Sequence, residues 1–311
     1  MIKFALVISA GLAVTVLIFN GLHPAADAAN NRLFSPPPQI VISAKKISNG
    51  SLLSLQIATR KTVPPINAAQ IIFQEHVYPV YPHPLDPAHR YFGLISIPFR
   101  AAPGPAKLEL TWSRGTKNQS KTIPFEIVAG KYRTDVLKVD SGRVNPSPQN
   151  LQRAKKEAQK INRIYASGSM IRLWENDFQL PMKSKITSLY GNKRLFNGQL
   201  KSYHNGIDFR APIGTPVFAA NAGDVRLAED LFYSGNAVIV DHGTGIFTIY
   251  AHLSRIDVSA GQKIQKGQQL GLTGATGRVN GPHLHWGVKV HKVAVNPLQF
   301  TEIISTLVKK E

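Results

Sequence analysis

Short runs of alternating apolar and polar residues fill the chain from Gln39 to about Val128, and turn-forming residues separate them. Alternation with a period of two predicts β-strands that turn their apolar side chains to one face. Several short strands at close spacing are typical of a small β-sandwich. We therefore predict a β-sandwich-like accessory domain over residues 39–130. Its predicted strands cover residues 40–42, 52–57, 91–97, 108–112 and 123–128.

A helical pattern follows the predicted sandwich. Residues 148–166 are rich in Lys, Arg, Gln, Glu and Ala, and their apolar residues recur on one helical face. Ser147 followed by Pro148 is a helix-start signal, because serine caps the first turn and proline is tolerated there. We predict an amphipathic helix at 148–166, within a linker over residues 131–177 that connects two domains.

Strand patterns and glycine turns return at Phe178 and continue almost to the end of the chain. They predict a second antiparallel β domain over residues 178–300 and a C-terminal tail over residues 301–311. The predicted fold class is therefore mainly β, with an N-terminal sandwich, a connecting helix and a C-terminal β domain.

The first 28 residues have the pattern of a targeting segment. Lys3 precedes an apolar run over residues 4–19, and an Ala-x-Ala site ends at Ala28. These features predict a secretory signal peptide, followed by a Pro-rich linker over residues 29–38. An uncleaved anchor is the alternative, although the run is slightly short for a membrane span of about 20 residues. We expect an exported protein of the periplasm or cell envelope, anchored in the membrane if the segment is not cleaved.

The amino-acid composition limits the classes of binding partner that we expect. The chain has no cysteine, so its fold does not depend on disulfides. It carries 37 Lys plus Arg against 18 Asp plus Glu, a net charge of +19. Such a charge favours anionic partners, and for an exported protein these are wall polymers or a membrane surface. Nucleic-acid binding would rest on charge alone, and we do not expect it.

Two of the ten histidines stand one residue apart, in Gly-Pro-His283-Leu-His285-Trp. In a strand, both imidazoles would share one face while Leu284 and Trp286 face the other. Such a pair, taken alone, is more often satisfied by hydrogen bonds than engaged in chemistry. Its interpretation therefore depends on partners elsewhere in the chain.

Candidate partners lie upstream, at His204 and Asp208. Asn205-Gly206 between them is a strong turn dipeptide, which can bring both side chains to one point. Two donors on one zinc ion lie about 3 to 3.5 Å apart. With one imidazole of the His-x-His pair, they would supply three protein ligands, which is the open arrangement of catalytic rather than structural zinc.

Other histidines are assigned from their local pattern. His252 stands at the end of the second strand of a predicted hairpin, where it could act on a bound substrate. His242 lies in the hairpin turn, and we expect it to stabilise that turn. Three further histidines lie in a Pro-rich part of the sandwich and are expected at the surface: His76, His83 and His89.

Several segments together resemble the lysostaphin/LytM-type zinc metalloendopeptidases, which cut peptide bonds in bacterial peptidoglycan. They are His204-x-x-x-Asp208, the segment 250–254 around His252, the glycines of 267–277, and Gly-Pro-His-Leu-His at 281–285. Each segment is weak alone, but all four occur in this order over about 100 residues. The resemblance covers roughly residues 180–300, and it says little about the accessory domain.

The resemblance implies a role for each matching residue. One catalytic Zn²⁺ would be held by His204, Asp208 and His285, with His252 and His283 as catalytic histidines that do not bind the metal. Trp286-Gly287 follows the pair where many relatives have an aromatic residue and Glu, and Tyr190 stands where Phe is common. These departures affect groove shape rather than chemistry, and residues expected to line the substrate groove are Tyr190, Tyr203, Asn205 and Trp286.

The expected function is hydrolysis of cross-links or stem peptides in peptidoglycan, by an exported zinc endopeptidase. The competing function is a binding module of the same fold, which activates another wall hydrolase without cutting. The sequence leaves open which bond is cut, which of His252 and His283 is the general base, and what residues 39–130 do. It identifies no protein partner.

Overall fold

The computed structural model describes residues 36–138 and 141–309, without the side chains of residues 143, 200 and 201. The predicted signal peptide and most of the first linker lie outside the described residues. Among the helices within them, none is long and apolar enough to cross a membrane.

Two β-sheets form the N-terminal part of the described chain. A four-stranded sheet has the order β1-β3-β7-β6, and a five-stranded sheet has the order β2-β9-β8-β4-β5. A shared apolar cluster between them, with Leu53, Leu55 and Ile95 among its members, confirms the predicted β-rich N-terminal region. The strands are β1 (Gln39–Ile42), β2 (Lys46–Ser48), β3 (Leu52–Ala58), β4 (Ala68–Phe73), β5 (His76–Pro79), β6 (Tyr81–Pro82), β7 (Arg90–Ser96), β8 (Gly104–Arg114) and β9 (Lys117–Val128).

Strand β7 is buried on both faces. Tyr91 and Ile95 face the sandwich core, whereas Phe92 and Leu94 belong to the core of the C-terminal part. A strand covered on both sides loses the apolar–polar alternation, because neither face meets water. The two parts are also joined by hydrogen bonds, since the Ser96 hydroxyl donates to the carbonyl of Val290 at 2.8 Å. The accessory sheet therefore forms one wall of the C-terminal core.

The segment predicted as a linker contains ordered elements. They are β10 (Thr134–Leu137), α1 (Ser141–Val144) and α2 (Pro148–Ala166). Helix α2 begins after Ser147, whose hydroxyl accepts the amide of Asn150 at 3.3 Å. It lies against the C-terminal part through Tyr165, which packs on Phe247, and through an ion pair between Arg153 and Asp230 at 2.8 Å.

Strand β10 was not predicted from the sequence. It pairs in parallel with β12 (Lys193–Phe196), so that Asp135 lies opposite Arg194 and Leu137 opposite Phe196. Strand β12 pairs in turn with β13 (Gln199–Tyr203), and the three strands form a small sheet. A four-residue strand with half-exposed side chains carries too little apolar periodicity to be recognised in sequence.

The C-terminal part is built on one large, mostly antiparallel sheet. Its main order is β11-β14-β21-β18-β17-β16-β19, with β15, β20 and β22 paired along it. This arrangement confirms the predicted mainly β fold. Its strands are β11 (Ile186–Ser188), β14 (Ile207–Arg210), β15 (Pro216–Phe218), β16 (Gly223–Leu231), β17 (Gly235–Asp241), β18 (Ile246–Ile256), β19 (Lys263–Ile264), β20 (Gln269–Thr273), β21 (His283–Val290) and β22 (Val293–Val295).

The predicted C-terminal tail is largely helical. Helix α3 (Pro297–Val308) is capped by Asn296, whose side chain accepts the amide of Leu298 at 3.0 Å. Its buried face includes Phe300 and Ile304, which enter the same core as Leu94. The apolar positions recur at helical spacing, so the segment is part of the fold rather than a tail.

The shared core predicts cooperative unfolding of the two parts. Leu94→Ala removes a fully buried side chain from the C-terminal core, and we expect a loss of about 2–5 kcal/mol in the free energy of unfolding. Val77→Ala, at a side chain that is 59% exposed, should change it by less than about 0.5 kcal/mol. Denaturant titration followed by tryptophan fluorescence and circular dichroism should show one shifted transition. Two separate transitions, with only one of them shifted by Leu94→Ala, would contradict the shared core.

Candidate metal and catalytic site

Strand register brings the site residues together. Strands β14 and β21 are antiparallel neighbours, and Asp208 lies directly opposite His285 in their register. His204 follows the end of β13, and the turn at Gly206 returns the chain into β14. A Cβ atom at Gly206 would lie 2.4 Å from the carbonyl oxygen of Trp286 and 2.8 Å from the His285 ring. Glycine is therefore required there by the close approach of the turn to β21.

Three donor atoms converge at this point. His204 Nε2 lies 2.9 Å from Asp208 Oδ1 and 3.0 Å from His285 Nδ1, and His285 Nδ1 lies 2.9 Å from Asp208 Oδ1. All three residues are buried. The structure thus brings together the three side chains that the resemblance implies as metal ligands, and among the described residues they form a group that could hold a metal ion.

The donor set fits zinc. Two imidazole nitrogens and one carboxylate oxygen are donors that zinc accepts, and about 3 Å between them is close to the spacing of ligands on one tetrahedral ion. Three protein ligands leave one position for water or substrate, as in catalytic zinc sites. Cysteine thiolates, which are frequent in closed structural sites, are absent from the whole chain.

His204 is held by contacts to its second ring nitrogen. Its Nδ1 lies 2.9 Å from the carbonyl oxygen of Leu189 and 3.0 Å from the hydroxyl of Ser188. A carbonyl only accepts, so Nδ1 carries the proton and Nε2 presents its lone pair to the other donors. The Ser188 hydroxyl donates to Asp135 Oδ2 at 2.5 Å, and Asn192 donates to Asp135 Oδ1 at 3.0 Å. A carboxylate on β10 therefore orients a candidate ligand through one hydroxyl.

Asp208 is fixed through both of its oxygens. Oδ1 faces the two imidazoles, and Arg194 Nη2 donates to Oδ2 in a close ion pair. Burial alone would raise the pKa of Asp208, but hydrogen bonds with His204 and His285 hold it well below the usual 3.8. The carboxylate is therefore ionised and ready to bind a cation.

His252 and His283 lie beside the three donors. Their ring centroids are 4.8 Å apart, and His283 Nε2 is 3.9 Å from Asp208 Oδ1. His252 Nδ1 donates to the carbonyl of Thr276 and His283 Nδ1 to that of Gly281, both at 2.8 Å. Because each Nδ1 is engaged with a carbonyl, each Nε2 carries the lone pair that can take up a proton.

Burial keeps these imidazoles neutral. It lowers the pKa of His204 to about 4 and, together with the neighbouring His283 and His285, holds the pKa of His252 well below 6.5. It also lowers the pKa of His283. Neutral imidazoles at pH 7 can bind a metal ion or accept a proton, which protonated imidazoles cannot do.

His242 has a structural environment. It is fully buried, its Nδ1 donates to the carbonyl of Ala222 at 2.7 Å, and its Nε2 lies 2.7 Å from the Thr248 hydroxyl. Both ring nitrogens are therefore engaged, Nδ1 with the residue that precedes β16 and Nε2 with β18 of the hairpin. His83 was predicted at the surface, and this prediction is wrong, because the side chain is buried.

The residues expected to line the groove divide into two pairs. Trp286 is fully buried, and Tyr190 is buried with its hydroxyl donating to the carbonyl of Ala294 at 2.9 Å. These two therefore belong to the core, because a buried side chain does not contact a substrate in solvent. Asn205 is exposed and Tyr203 is half-buried against Phe99, so these two can line the groove.

A cleft of about 510 Å³ opens beside the donors. One wall is β10, including Asp135 and the exposed Val136, and the other is the 280–283 segment that leads into His283. Three residues of the site are not predicted from the sequence: Asp135, Ser188 and Arg194. Their roles depend on contacts between strands that are apart in the chain, and no local sequence pattern marks them.

Comparisons with known proteins agree with the fold. Residues 202–297 match the description "Peptidase family M23". Peptidoglycan DD-endopeptidase ShyA of Vibrio cholerae is 40% identical over 136 residues, which are 43% of this chain and 32% of the relative. Peptidoglycan DD-endopeptidase ShyC of the same organism is 39% identical over 115 residues, 36% of this chain and 26% of the relative. The chain thus spans about a third and about a quarter of these relatives' lengths.

A solved structure extends the similarity beyond the matched segment. A Pseudomonas aeruginosa protein provisionally assigned to peptidase M23 superposes with a TM-score of 0.62 and 28% identity, over 83% of this chain and 95% of that chain. The fold and the site define a metallopeptidase-type β protein. Over residues 202–297 the chain is therefore similar to a peptidase M23 domain.

Metal analysis of variants tests the division between ligands and neighbours. His204→Ala or His285→Ala removes one of three donors, and we expect each purified variant to lose bound zinc. His283→Ala should retain about one zinc per chain, because its Nε2 is not part of the donor triangle. Inductively coupled plasma mass spectrometry after dialysis measures the difference. A zinc-free His283→Ala protein would contradict the assignment.

Asp135 should affect metal affinity without touching the metal. Asp135→Asn keeps the shape but weakens the acceptor for Ser188, so His204 is less firmly oriented. We expect zinc affinity to fall about 10- to 100-fold in a chelator competition. Asp86→Asn, in the accessory part, is the matched control and should leave affinity unchanged. Equal affinities for all three proteins would show that β10 does not support the site.

Proposed function

We propose that this protein is an exported, zinc-dependent endopeptidase that hydrolyses peptide cross-links or stem peptides of bacterial peptidoglycan. The observation that carries the proposal is the triangle of donors from His204, Asp208 and His285, with two further imidazoles beside it. The relatives named peptidoglycan DD-endopeptidases support the substrate class.

Zinc would be held by His204, Asp208 and His285. When bound, it supplies a Lewis acid that polarises the scissile carbonyl and makes water a stronger nucleophile near neutral pH. Arg194 and Ser188 hold two of the ligands from behind, so little rearrangement is needed when the site is loaded.

The other two histidines handle protons and charge. His283 and His252 each present a lone pair at Nε2, because Nδ1 of each donates to a fixed backbone carbonyl. One takes the proton of the attacking water, and the other stabilises the oxyanion or protonates the leaving amine. Each such role typically contributes about 10²- to 10⁴-fold to the rate. His252 and His283 have the same kind of contact at Nδ1. Kinetic measurements on variants therefore decide which of them is the general base.

The predicted signal peptide over residues 1–28 and the charge support the proposed location in the cell envelope. A net charge of +19 favours contact with anionic wall polymers or a membrane surface, in addition to the peptidoglycan substrate. Retention by an uncleaved signal segment would place the same domain at the membrane.

Hydrolysis of peptidoglycan is favoured over a role that is limited to binding it. A non-cutting activator of another hydrolase needs neither a donor triangle nor the two flanking imidazoles. Here all five side chains converge, and burial keeps His204, His252 and His283 neutral. These five side chains supply the groups that the proposed hydrolysis needs.

Digestion of purified peptidoglycan sacculi tests the proposal. The zinc-loaded full chain should release soluble fragments and reduce the fraction of cross-linked species, as measured by chromatography and mass spectrometry. Chelation should stop release and added zinc should restore it. His283→Ala should slow release at least about 100-fold, whereas the control His76→Ala, at an exposed strand residue, should not. A zinc-loaded protein that binds sacculi but releases nothing would favour the activator.

A further inference from the structure

Strand β10 (Thr134–Leu137) borders the cleft that contains the donor site. All four of its residues line this cleft, and Asp208 and His283 line it as well. Side chains alternate between the two faces of a strand, so a strand that turned one face to the cleft would line it with every second residue. Four consecutive lining residues therefore indicate that β10 turns its edge to the cleft.

This edge of β10 carries main-chain groups that its own sheet does not use. Within the described residues, β10 pairs with β12 and has no strand on its other side. The carbonyls of Arg133 and Leu137 accept amides from β12 and from the residue after it, at 2.8 and 2.9 Å. Main-chain direction alternates along a strand, so the odd-numbered residues face β12. Thr134 and Val136 therefore turn their N–H and C=O groups to the free edge.

Strand β10 is fixed by the side chains of its inner face. The Asp135 carboxylate accepts hydrogen bonds from Ser188 at 2.5 Å and from Asn192 at 3.0 Å. Val136 points to the opposite face, and its side chain is 69% exposed. A strand edge that is held in place but unpaired is a template to which another extended chain can add. Little ordering of β10 is needed when such a chain binds.

The edge of β10 and the donor site share one cleft. Ser188, which accepts no strand on its outer side because β11 is itself an edge strand, also lines the cleft. The opposite wall is the segment 280–283, and it ends at His283, whose Nε2 lies 3.9 Å from Asp208 Oδ1. A peptide paired with β10 would therefore lie in the same cleft as the donor atoms and a candidate base.

We infer that β10 binds the main chain of the peptide substrate as an added strand, through the N–H and C=O groups of Thr134 and Val136. The inference rests on the proposed function and concerns how that site holds its substrate. Residues 134–137 lie outside the segment 202–297 that matches the peptidase family. The contact therefore comes from the part of the chain between the accessory sheets and the catalytic sheet.

Main-chain recognition is suited to a peptide that contains D-residues. Changing a residue from L to D changes the direction of its side chain, but an extended chain still presents N–H and C=O groups to a neighbouring strand. In strand addition these main-chain bonds supply affinity, and contacts to side chains supply specificity. Bonds along β10 would restrain the substrate on both sides of a residue and so place the scissile bond beside the donors.

Proline substitution on β10 tests the inference, because proline has no main-chain N–H. Val136→Pro removes one N–H from the free edge and leaves the bonds to β12 in place. The zinc-loaded full chain is assayed on a soluble cross-linked stem-peptide fragment. We expect KM to rise and kcat/KM to fall by about 5- to 50-fold, as for the loss of one or two neutral hydrogen bonds.

Two further variants separate the main chain from the side chain and from general effects of proline. Val136→Ala keeps the N–H, so its kcat/KM should stay at least about 5-fold above that of Val136→Pro. Val77→Pro places proline at an exposed valine on β5, which is an edge strand of the accessory sheet, and should keep the wild-type kcat/KM. Zinc content and melting temperature are measured for every protein.

Substrate analogues test the same contact from the other partner. Methylation of one amide nitrogen outside the scissile bond removes one N–H donor from the peptide. We expect at least one such position to lower the kcat/KM of wild-type protein by about 5-fold or more, and to lower that of Val136→Pro by less. The reason is that pairing with β10 is already weakened in the variant. Val77→Pro should respond to methylation as wild-type protein does.

The outcomes separate the inference from the proposed function. Equal kcat/KM for Val136→Pro and Val136→Ala at full zinc content would overturn the added strand and leave the peptidase function standing. Faster hydrolysis by Val136→Pro would also overturn it, because β10 would then obstruct the cleft. If Val136→Pro loses zinc or stability, the methylated peptides decide with wild-type protein, and no sensitive position would overturn the inference. Failure of zinc-loaded wild-type protein to hydrolyse both the fragment and sacculi would overturn the proposed function and the inference with it.

Discussion

The meeting of three donor atoms at about 3 Å from one another is the constraint on which the rest of the site depends. It requires Asp208 and His285 to be opposite each other in the β14–β21 register. Side chains alternate along a strand, so a slip of one residue would turn His285 into the core and Leu284 into the site. Leu284, Trp286 and Val288 are all fully buried on the other face, and their burial stabilises the register that the chemistry needs.

The accessory sandwich and the segment after it take part in this construction. Strand β7 contributes Phe92 and Leu94 to the C-terminal core, and β10 adds a carboxylate behind His204. The peptidase match begins at residue 202, so both contributions come from outside it. An accessory part that shares its core with the catalytic part supports the site physically, in addition to any role in placing it on the wall.

Sequence patterns predicted the parts of the site that carry their own signal. The alternation of His283 and His285 and the turn dipeptide at Asn205-Gly206 indicated side chains that could meet. The family resemblance then implied which of them are ligands, and the structure brings these side chains together. Residues whose role depends on tertiary contacts could not be found this way. Asp135 lies on a four-residue strand with weak periodicity, and Arg194 matters only because its strand runs beside Asp208.

Burial explains the expectations that were wrong. The family resemblance places Trp286 and Tyr190 in the groove, but their neighbours in space place both in the core. Residues 301–311 are predicted as a tail because the strand pattern ends before them, but most of them belong to the helix Pro297–Val308, whose apolar face is buried. In each case, burial depends on which other part of the fold packs against the residue. The local sequence does not show which part that is.

Zinc anomalous scattering from crystals of the full chain tests the central claim most directly. Diffraction data above and below the zinc absorption edge should give one dominant peak within about 2.0–2.2 Å of His204 Nε2, Asp208 Oδ1 and His285 Nδ1. His252 and His283 should lie outside bonding distance of that peak. A dominant peak elsewhere in the molecule, or one bound by His283 or His252 in place of His285, would contradict the account.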